Sequence, residues 1–235
     1  MMHHNTDHGC DGIAGGVMKE ISKDSLGHTI YGRVCQDLIC GKLRPNQKIT
    51  IRGLADALGT SSTPVRDAVQ RLLQDNALEQ RSVRDVRVPV MTMPQYLEIA
   101  VVRAELEGLA AAKAAEVAHG KDVARLKRII ARNEEAIAAE RWPLATEMNQ
   151  KFHFALAEIA DMPILLDVLN CLWLRMGPLL AGYYASAQED MVQQHHAIVA
   201  ACQNRDAVSA RAAMRADIEG AKEGITGYIK TLKKD

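Results

Sequence analysis

The sequence predicts a mainly α-helical protein with two parts: an N-terminal module of three helices and a small hairpin, and a larger all-α bundle. The chain has 235 residues, more than the usual size of about 100–200 residues for a single domain. Apolar residues make up 48% and charged residues 25%, as in ordinary globular proteins. Strand-like alternation is confined to residues 78–90, and beyond residue 94 the chain is Ala-rich and helical in period.

Charge is distributed unevenly along the chain, although 29 basic and 29 acidic residues cancel overall. Residues 19–90 carry 12 basic and 8 acidic side chains, whereas residues 91–235 carry 17 and 19. A basic segment before a mildly acidic one fits a nucleic-acid-binding module joined to a second domain. No apolar run approaches the ~18–20 residues of a membrane helix, no signal-peptide pattern begins the chain, and the five cysteines form no Cys-x-x-Cys pair. We therefore expect a cytoplasmic protein with reduced thiols and no membrane partner.

Element boundaries follow from capping and turn residues. We expect a disordered tail over residues 1–18, a first domain over residues 19–90 and a second over residues 91–235. In the first, helices are predicted from Ser25 to Gly41, from Thr50 to Gly59 and from Ser61 onward, with a hairpin formed by residues 78–82 and 86–90. In the second, Ser186 and Glu189 predict a capping box, and the helices are expected near 94–118, 121–139, 143–160, 163–184, 187–203 and 207–231.

Three helices and a hairpin, within a segment of about seventy residues that is basic overall, predict a winged helix-turn-helix. In this motif the second helix of the helix-turn-helix, here the third helix of the module, enters the major groove of DNA. Its N-terminal residues face the base edges. Hydroxyl groups and arginines at that helix terminus and in the hairpin can bind phosphates or bases. The alternative is that the arginines only form a solvated surface. The predicted DNA contacts are Arg52, Ser61, Ser62, Thr63, Arg66, Arg81 and Arg84, with Arg87 as a further hairpin arginine.

The segments TIYGRVCQDLICGKLRPNQKI and IRGLADALGTSSTPVRDAVQRLLQDNALEQ resemble the N-terminal domain of GntR-type bacterial transcription regulators. The resemblance spans residues 26–90 and implies that Arg52, Ser61, Ser62, Arg66 and Arg84 contact double-stranded DNA. The family usually has glycine where this chain has Asn46, Asn76 and Asp85. Asparagine tolerates a left-handed backbone, but Asp85 adds negative charge to the wing. We therefore expect the wing to contact the minor groove more weakly or in a different shape.

The remaining chain resembles the all-helical effector domain of the FCD (FadR-like) branch of these regulators. The resemblance rests on VVRAELEGLAAAKAA, NQKFHFALAEIADMPIL and QHHAIVAACQNRDAVSARAAMRADIEGA. Many members bind a divalent metal through one Asp and three His, and the matching positions here are Asn149, His153, His195 and Asp217. Asn149 and His153 are four residues apart on one helical face. An antiparallel hairpin centred near residue 206 would set His195 beside Asp217, inside the bundle.

The altered ligand set has a chemical consequence. With two imidazoles instead of three, the site should hold zinc or nickel less tightly and tolerate manganese or magnesium relatively better. Two interpretations stay open. The site holds one divalent ion of the Zn, Ni or Mn class, or it is a metal-free pocket in which both histidines hydrogen-bond directly to Asp217, Asn149 and an effector.

The resemblance also implies a small carboxylate as effector. Arg103 matches the family's carboxylate-binding arginine, and Arg175 is a second candidate on a helix expected to line the cavity. A buried guanidinium needs an anionic partner, and a ligand carboxylate can bind it in a bidentate manner. The alternative for Arg103 is an ion pair with Glu107 on the surface.

These features together predict a homodimeric transcription regulator that binds a pseudo-palindromic operator and is not an enzyme. Two other functions are weighed against it. Two histidines and one carboxylate are also the ligands of non-haem iron oxygenases, so a metalloenzyme is one alternative. The other is an architectural DNA-binding protein without a ligand.

Overall fold

The computed structural model describes residues 21–187 and 192–232, with side chains from residue 27 onward. The predicted tail at residues 1–18 lies outside the described residues. The described chain forms ten helices and three short strands. The N-terminal module contains α1 (Ile21–Ile39), β1 (Lys48–Ile49), α2 (Ile51–Leu58), α3 (Ser62–Gln74), β2 (Glu79–Ser82) and β3 (Asp85–Arg87). The bundle contains α4 (Met93–Val117), α5 (Gly120–Ala138), α6 (Trp142–Ile159), α7 (Pro163–Ala187), α8 (Gln193–Gln203), α9 (Ala207–Gly220) and α10 (Lys222–Thr231).

The predicted fold class is confirmed: three helices and a small wing precede an all-helical bundle. The wing is an antiparallel sheet with strand order β1-β3-β2. Its β2–β3 hairpin is the predicted one, and Gln80 lies opposite Val86. The sequence did not predict β1, which has two residues and pairs Lys48 with Arg87. A strand this short carries too little alternation to be read from the sequence.

Local capping residues position the helix-turn-helix as expected. The side chain of Thr50 accepts a hydrogen bond from the backbone N–H of Gly53 at 3.1 Å, which caps α2. Gly59 ends the same helix with a φ of 63°, in the left-handed region. Asn46 and Asn76, where the family usually has glycine, have φ values of 64° and 55°. Asparagine therefore replaces glycine at two left-handed positions of the module.

The bundle is built around α4, which packs against α6, α7, α8 and α9. Small alanines line much of this helix, so its neighbours approach closely. The largest side chains in the bundle that are almost fully enclosed are Trp173, Tyr96, Phe152, Leu126, Ile130, Leu156, Leu169, Met176, Ile198 and Met214. This core fixes the helices that carry the polar residues described below.

Two predicted helix boundaries in the bundle are wrong. The helix expected over 207–231 is divided at Ala221 into α9 and α10, directly after Gly220, whose backbone is entropically costly in a helix. Ser186 does not begin a helix, because α7 continues to Ala187 and the Ser186 hydroxyl donates a hydrogen bond to the Tyr183 carbonyl at 2.8 Å. Its proposed capping partner, Glu189, lies outside the described residues.

Helix α7 corrects another expectation. Its 25 residues are long enough to cross a membrane, and an apolar window of 18 residues within it has a mean hydropathy of 1.5. In the structure 56% of that apolar window is buried inside the protein. Core helices of globular proteins meet the same criterion, so the composition of α7 is weak evidence for a membrane span. Most of its apolar residues are buried in the core, although Ile164 is 81% exposed.

The same helix joins the two parts of the protein. Leu174 is 5% exposed and belongs to the apolar core of the N-terminal module, together with Val34, Leu38 and Leu72 of that module. Gly177 allows α1 to approach closely, because a β-carbon at this position would lie 2.6 Å from the Ile39 Cα. The seam between α1 and α7 is therefore tightly packed.

Candidate functional site

The N-terminus of α3 presents free polar groups to solvent. Ser61 is the N-cap residue, yet its side chain makes no capping hydrogen bond, and Ser61, Ser62 and Thr63 are all exposed. Arg66 follows within the first turns and is exposed on the same helix. The hydroxyls and the unsatisfied N–H groups of a helix terminus suit a phosphate, and the arginine can reach a phosphate or a guanine. This arrangement has the features expected of a recognition helix.

Four predicted DNA-contacting arginines differ in their internal partners. Arg52 is fully accessible and has only a distant partner, with 3.9 Å between its Nε and Asp56 Oδ2. Arg84, at the turn of the wing, has no ion pair or hydrogen bond within the described residues. Arg81 is paired with Glu79 at 2.7 Å. Arg66 is likewise unpaired in the described part of the chain, so Arg66 and Arg84 are the arginines most available to DNA.

Arg87 has internal partners in the wing, and its predicted contact with DNA stays a prediction. Its Nη1 donates to the Asn46 carbonyl at 3.0 Å, and its Nε donates to Asp85 Oδ1 at 3.0 Å. The pair balances the charge of Asp85, which the sequence analysis regarded as unfavourable beside phosphates. Arg87 thus ties the wing to the loop before β1.

A buried polar cluster lies inside the bundle where three helices meet. His153 of α6 and His195 of α8 are 1% and 0% exposed, and Asp217 of α9 is largely buried beside them. One ligand atom from each of these residues lies within 4.8 Å of the others. Asp217 Oδ2 is 3.4 Å from His153 Nε2, and Asp217 Oδ1 is 3.5 Å from His195 Nε2. Three of the four predicted metal-ligating positions therefore converge.

Asn149, the fourth predicted ligand, is also buried, with 4% of its surface exposed. It lies one helical turn before His153 on α6, so both side chains share a face. No hydrogen bond to its side chain is found among the described residues. Its role as a ligand stays a prediction.

Glu107 of α4 completes the cluster. The ion pair with Arg103, weighed above as the alternative to a ligand role for Arg103, exists with 2.5 Å between Arg103 Nε and Glu107 Oε1, but it is buried rather than on the surface. The same carboxylate accepts hydrogen bonds from His153 Nδ1 at 2.5 Å and from Trp173 Nε1 at 3.0 Å. The i, i+4 spacing of Arg103 and Glu107 indicated the pair. Nothing in the sequence indicated that the carboxylate also reaches His153.

Arg175 does not line this cluster. It is exposed on α7, whereas its neighbours Trp173, Leu174 and Met176 are buried. Successive helical residues point about 100° apart, so the faces that these apolar neighbours occupy leave Arg175 turned toward solvent. The expectation that Arg175 faces an internal cavity is therefore wrong.

Comparison with known proteins identifies the chain. Residues 26–88 match the bacterial regulatory proteins of the gntR family, and residues 98–220 match the FCD domain. The chain belongs to the FCD branch of the gntR family. It is 31% identical over 195 residues to the HTH-type transcriptional regulator McbR of Escherichia coli K12, which covers 81% of this chain and 87% of McbR.

Solved structures agree with this membership. The structure of E. coli McbR/YncC superposes with a TM-score of 0.80 at 28% identity, covering 86% of this chain and 98% of McbR. A GntR transcriptional regulator from Rhodococcus sp. RHA1 shares the fold, with a TM-score of 0.75, 22% identity and coverage of 89% and 100%. As a member of this family the protein is a DNA-binding transcription regulator of the GntR/FCD type. The related proteins are regulators, which is consistent with a protein that is not an enzyme.

Burial sets the protonation of the buried polar cluster formed by Glu107, His153, His195 and Asp217. Burial lowers the pKa of His195 well below its usual value, with the neighbouring His153 adding to the effect, so the ring is neutral at pH 7. Burial raises the pKa of Asp217 to about 6, although the nearby His153 and Arg103 side chains oppose that rise. Burial would also raise the pKa of Glu107, but Arg103 and His153 outweigh it and hold that pKa at about 2. The cluster therefore contains one firmly ionised carboxylate and one whose ionisation is costly.

The residues present fit a divalent metal ion. Both ring nitrogens of His195 are buried and have no hydrogen-bond partner among the described residues, which is costly for an imidazole unless another group binds it. Its ring is stacked on Phe152, with 4.0 Å between the ring centroids, and the stacking fixes its plane. A neutral imidazole, a second imidazole and a carboxylate are a donor set that such ions accept.

Proposed function

We propose that the protein is a homodimeric, ligand-responsive transcription regulator of the cytoplasm. Its winged helices would bind a pseudo-palindromic operator, and its FCD domain would bind a small carboxylate together with a divalent metal ion. The observation that carries the ligand-binding part is the buried His153–His195–Asp217 cluster, which has an unsatisfied imidazole and an anionic partner. The family membership carries the DNA-binding part.

The metal-binding proposal assigns direct contacts to His153, His195 and Asp217, with the Asn149 carbonyl oxygen as a fourth donor. A six-coordinate ion such as Mn²⁺, if held by these four groups, would keep positions open for ligand oxygens, and it would supply positive charge that attracts a carboxylate. The protein's own part is to hold two imidazoles and one carboxylate in a dry interior. The donor set favours the Zn, Ni or Mn class of ions and tolerates manganese comparatively well.

Arg103 supports the choice of a carboxylate as effector. Its Nε and Nη2 are bonded to Glu107, but Nη1 has, in the part of the chain that the structure describes, only the Met176 sulphur as a partner, at 3.7 Å. Sulphur is a weak acceptor. A carboxylate oxygen entering the cluster would be a much stronger partner for that N–H group, and its charge would compensate the guanidinium.

An effector can control DNA binding only if it binds the two states of the dimer with different affinities. The polar side chains around the proposed site are at most 5% exposed: Arg103, Glu107, His153 and His195. A ligand would therefore reach them only when the bundle opens. Closure around the ligand would then move α7. Because α7 packs against α1, this movement would change the relative placement of the two recognition helices.

The DNA-binding part is tested with duplexes selected from a random-sequence pool by the purified protein. Affinity should fall steeply with salt, because phosphate contacts release counterions. Arg66→Ala should weaken binding by about 1–3 kcal/mol, or about 5- to 150-fold. Arg128→Ala, an exposed arginine of α5 in the FCD domain, is the matched control and should leave affinity unchanged. Equal losses in both variants would contradict the proposed recognition helix.

The ligand-binding part is tested on chelator-treated protein. Elemental analysis before chelation reports the resident metal, and thermal unfolding with added Mn²⁺, Ni²⁺ or Zn²⁺ reports binding, because a ligand of the folded state raises the melting temperature. A panel of hydroxy acids, dicarboxylates and sugar acids is then added to the metal-loaded protein. A protein that binds neither metal nor any carboxylate of the panel, while still binding DNA, would contradict this part alone.

A further inference from the structure

We propose that Glu107 is a positioning residue that fixes the orientation and tautomer of His153 for metal binding. The inference rests on the proposed metal-binding function of the cluster. Glu107 is not one of the predicted ligands, and its carboxylate oxygens are directed at other groups. It is 1% exposed and lies on α4, whereas the proposed ligands lie on α6, α8 and α9.

The Glu107 carboxylate accepts hydrogen bonds from three different side chains. Its Oε1 accepts from Arg103 Nε at 2.5 Å and from Trp173 Nε1 at 3.0 Å. Its Oε2 lies 3.2 Å from Arg103 Nη2 and 2.5 Å from His153 Nδ1. The guanidinium and the indole N–H can only donate. They hold the carboxylate in one orientation, with Oε2 directed at the His153 ring.

This arrangement decides which nitrogen of His153 carries a proton. A carboxylate beside a buried guanidinium acts as an acceptor, so Nδ1 of His153 must donate to Oε2. In the neutral ring the lone pair is then on Nε2, the atom that faces Asp217 at 3.4 Å. Histidines that bind metals usually donate their other N–H to a carboxylate or carbonyl, which fixes the ring and makes it more basic as a ligand.

His195 provides an internal comparison, because neither of its ring nitrogens has a hydrogen-bond partner among the described residues. Its plane is set by stacking on Phe152, but stacking does not distinguish its two tautomers. Only His153 is therefore prepared for coordination before a metal arrives. An Arg103–Glu107 pair that served stability alone would need only the two bonds to the guanidinium, and it would not require Oε2 to reach His153.

The test compares Glu107→Gln with Glu105→Gln. Glu105 lies on the same helix, but it is half-exposed and bonds to Arg215 on the surface. Isothermal titration of the metal-free proteins with Mn²⁺ and Ni²⁺ should show about 10- to 100-fold weaker binding for Glu107→Gln, as for other residues that hydrogen-bond a metal-binding histidine. Glu105→Gln should bind within about twofold of the wild type, since Glu105 has no contact with a proposed metal-binding residue.

A second variant guards against misfolding, because Glu107→Gln leaves a buried Arg103 without its counter-charge. The double variant Arg103→Met/Glu107→Leu removes both charges, and such apolar replacements of a buried pair are often tolerated. It also lacks an acceptor for His153 Nδ1. It should show the same loss of metal affinity with an unchanged far-UV circular dichroism spectrum.

The tautomer of His153 can also be measured in the metal-free protein, independently of metal affinity. In metal-free protein with ¹⁵N-labelled histidine, His153 should carry its proton on Nδ1, and this preference should be lost in the double variant. The His153 signal is assigned with His153→Gln. A wild-type ring with an unprotonated Nδ1, or equal metal affinity in wild type and double variant, would overturn the inference and leave the metal site itself standing. A wild type that binds no cation would overturn the inference together with the metal part of the proposed function.

Discussion

Trp173 and Leu174 are consecutive residues of α7, yet their side chains lie in the cores of two different domains. Trp173 is fully buried in the FCD bundle and donates a hydrogen bond to Glu107 at 3.0 Å. Leu174 is packed inside the core of the N-terminal module. One helical segment therefore connects the buried polar cluster to the DNA-binding domain without a flexible linker between them. A rotation or shift of α7 at the cluster would be transmitted directly to the module that carries α3.

Removing the Leu174 side chain should destabilise the N-terminal module. Leu174→Ala deletes buried methyl groups from a packed core, and such substitutions cost about 2–5 kcal/mol. Ile164→Ala on the same helix is the matched control, because Ile164 is 81% exposed and surface changes cost within about 0.5 kcal/mol. Urea unfolding followed by circular dichroism measures both. Equal midpoints for the two variants would show that Leu174 contributes nothing to this core.

A methyl group at Gly177 should disturb the seam between the domains. The added β-carbon would lie 2.6 Å from the Ile39 Cα, so α1 and α7 must move apart. We expect Gly177→Ala to lower the free energy of unfolding by about 1–3 kcal/mol through overpacking and to reduce operator affinity. Gly227→Ala in α10 is the control, since a β-carbon there meets nothing within 4 Å. It should be neutral or stabilising by up to about 1 kcal/mol. Thermal unfolding and gel shift decide between these results, and a Gly177→Ala protein that behaves like the control contradicts the proposed tight seam.

The order of the elements could be predicted from the sequence because their signals are local. Thr50 and Gly59 bound α2, and Ser61 with Pro64 marks the start of α3, all by short-range chemistry that one segment contains. The i, i+4 relation of Asn149 and His153 and the hairpin relation of His195 and Asp217 likewise depend only on helical geometry. They do not place His153 beside His195 and Asp217: the resemblance to the FCD branch implied that convergence, and the structure brings three of the four predicted ligands together.

The remaining features depend on contacts between elements distant in sequence. The bond from His153 to Glu107 spans 46 residues, and the bond from Trp173 to Glu107 spans 66. Neither can be read from periodicity, because the rotation of α4 relative to α6 and α7 is set by packing. Arg175 was misassigned for the same reason: a cationic residue in an apolar helix does not reveal which side of that helix is buried.

Arg84 and Arg87 of the wing should respond differently to removal. Arg84 has no internal partner within the described residues, so Arg84→Ala should leave the melting temperature unchanged. It should weaken operator binding and reduce the salt slope by about one unit, as expected for a lost phosphate contact. Arg87 bonds to Asp85 and to the Asn46 carbonyl, so Arg87→Ala should lower stability first. Gel shifts at two salt concentrations and thermal unfolding separate the two effects. A stable Arg87→Ala protein with the larger loss of DNA affinity would reverse these assignments.

Asp217 should make the metal-free protein less stable as the pH rises through the acidic range. Burial raises the pKa of Asp217 from 3.8 to about 6, so between these values the folded state binds more protons than the unfolded state. The unfolding free energy therefore falls across that window, and it stays lower at pH 7, by at most about 3 kcal/mol for a shift of this size. Asp217→Asn carries no charge and should be more stable than the wild type at pH 7 after chelation, with no difference below pH 4.

Added Mn²⁺ should reverse that order, because a bound cation stabilises the ionised Asp217 carboxylate in the wild type and the amide of Asp217→Asn is a poorer ligand. The control is Asp167→Asn, an exposed residue of α7 whose replacement should change stability by no more than about 0.5 kcal/mol, with or without metal. Urea unfolding at pH 4, 5, 6 and 7 with EDTA, and at pH 7 with Mn²⁺, measures each protein. Wild-type stability that rises from pH 4 to 6 relative to Asp217→Asn would show that the carboxylate is favourably ionised without a metal. In that case the interaction of the Asp217 carboxylate with His153 and His195 would be enough to stabilise its charge.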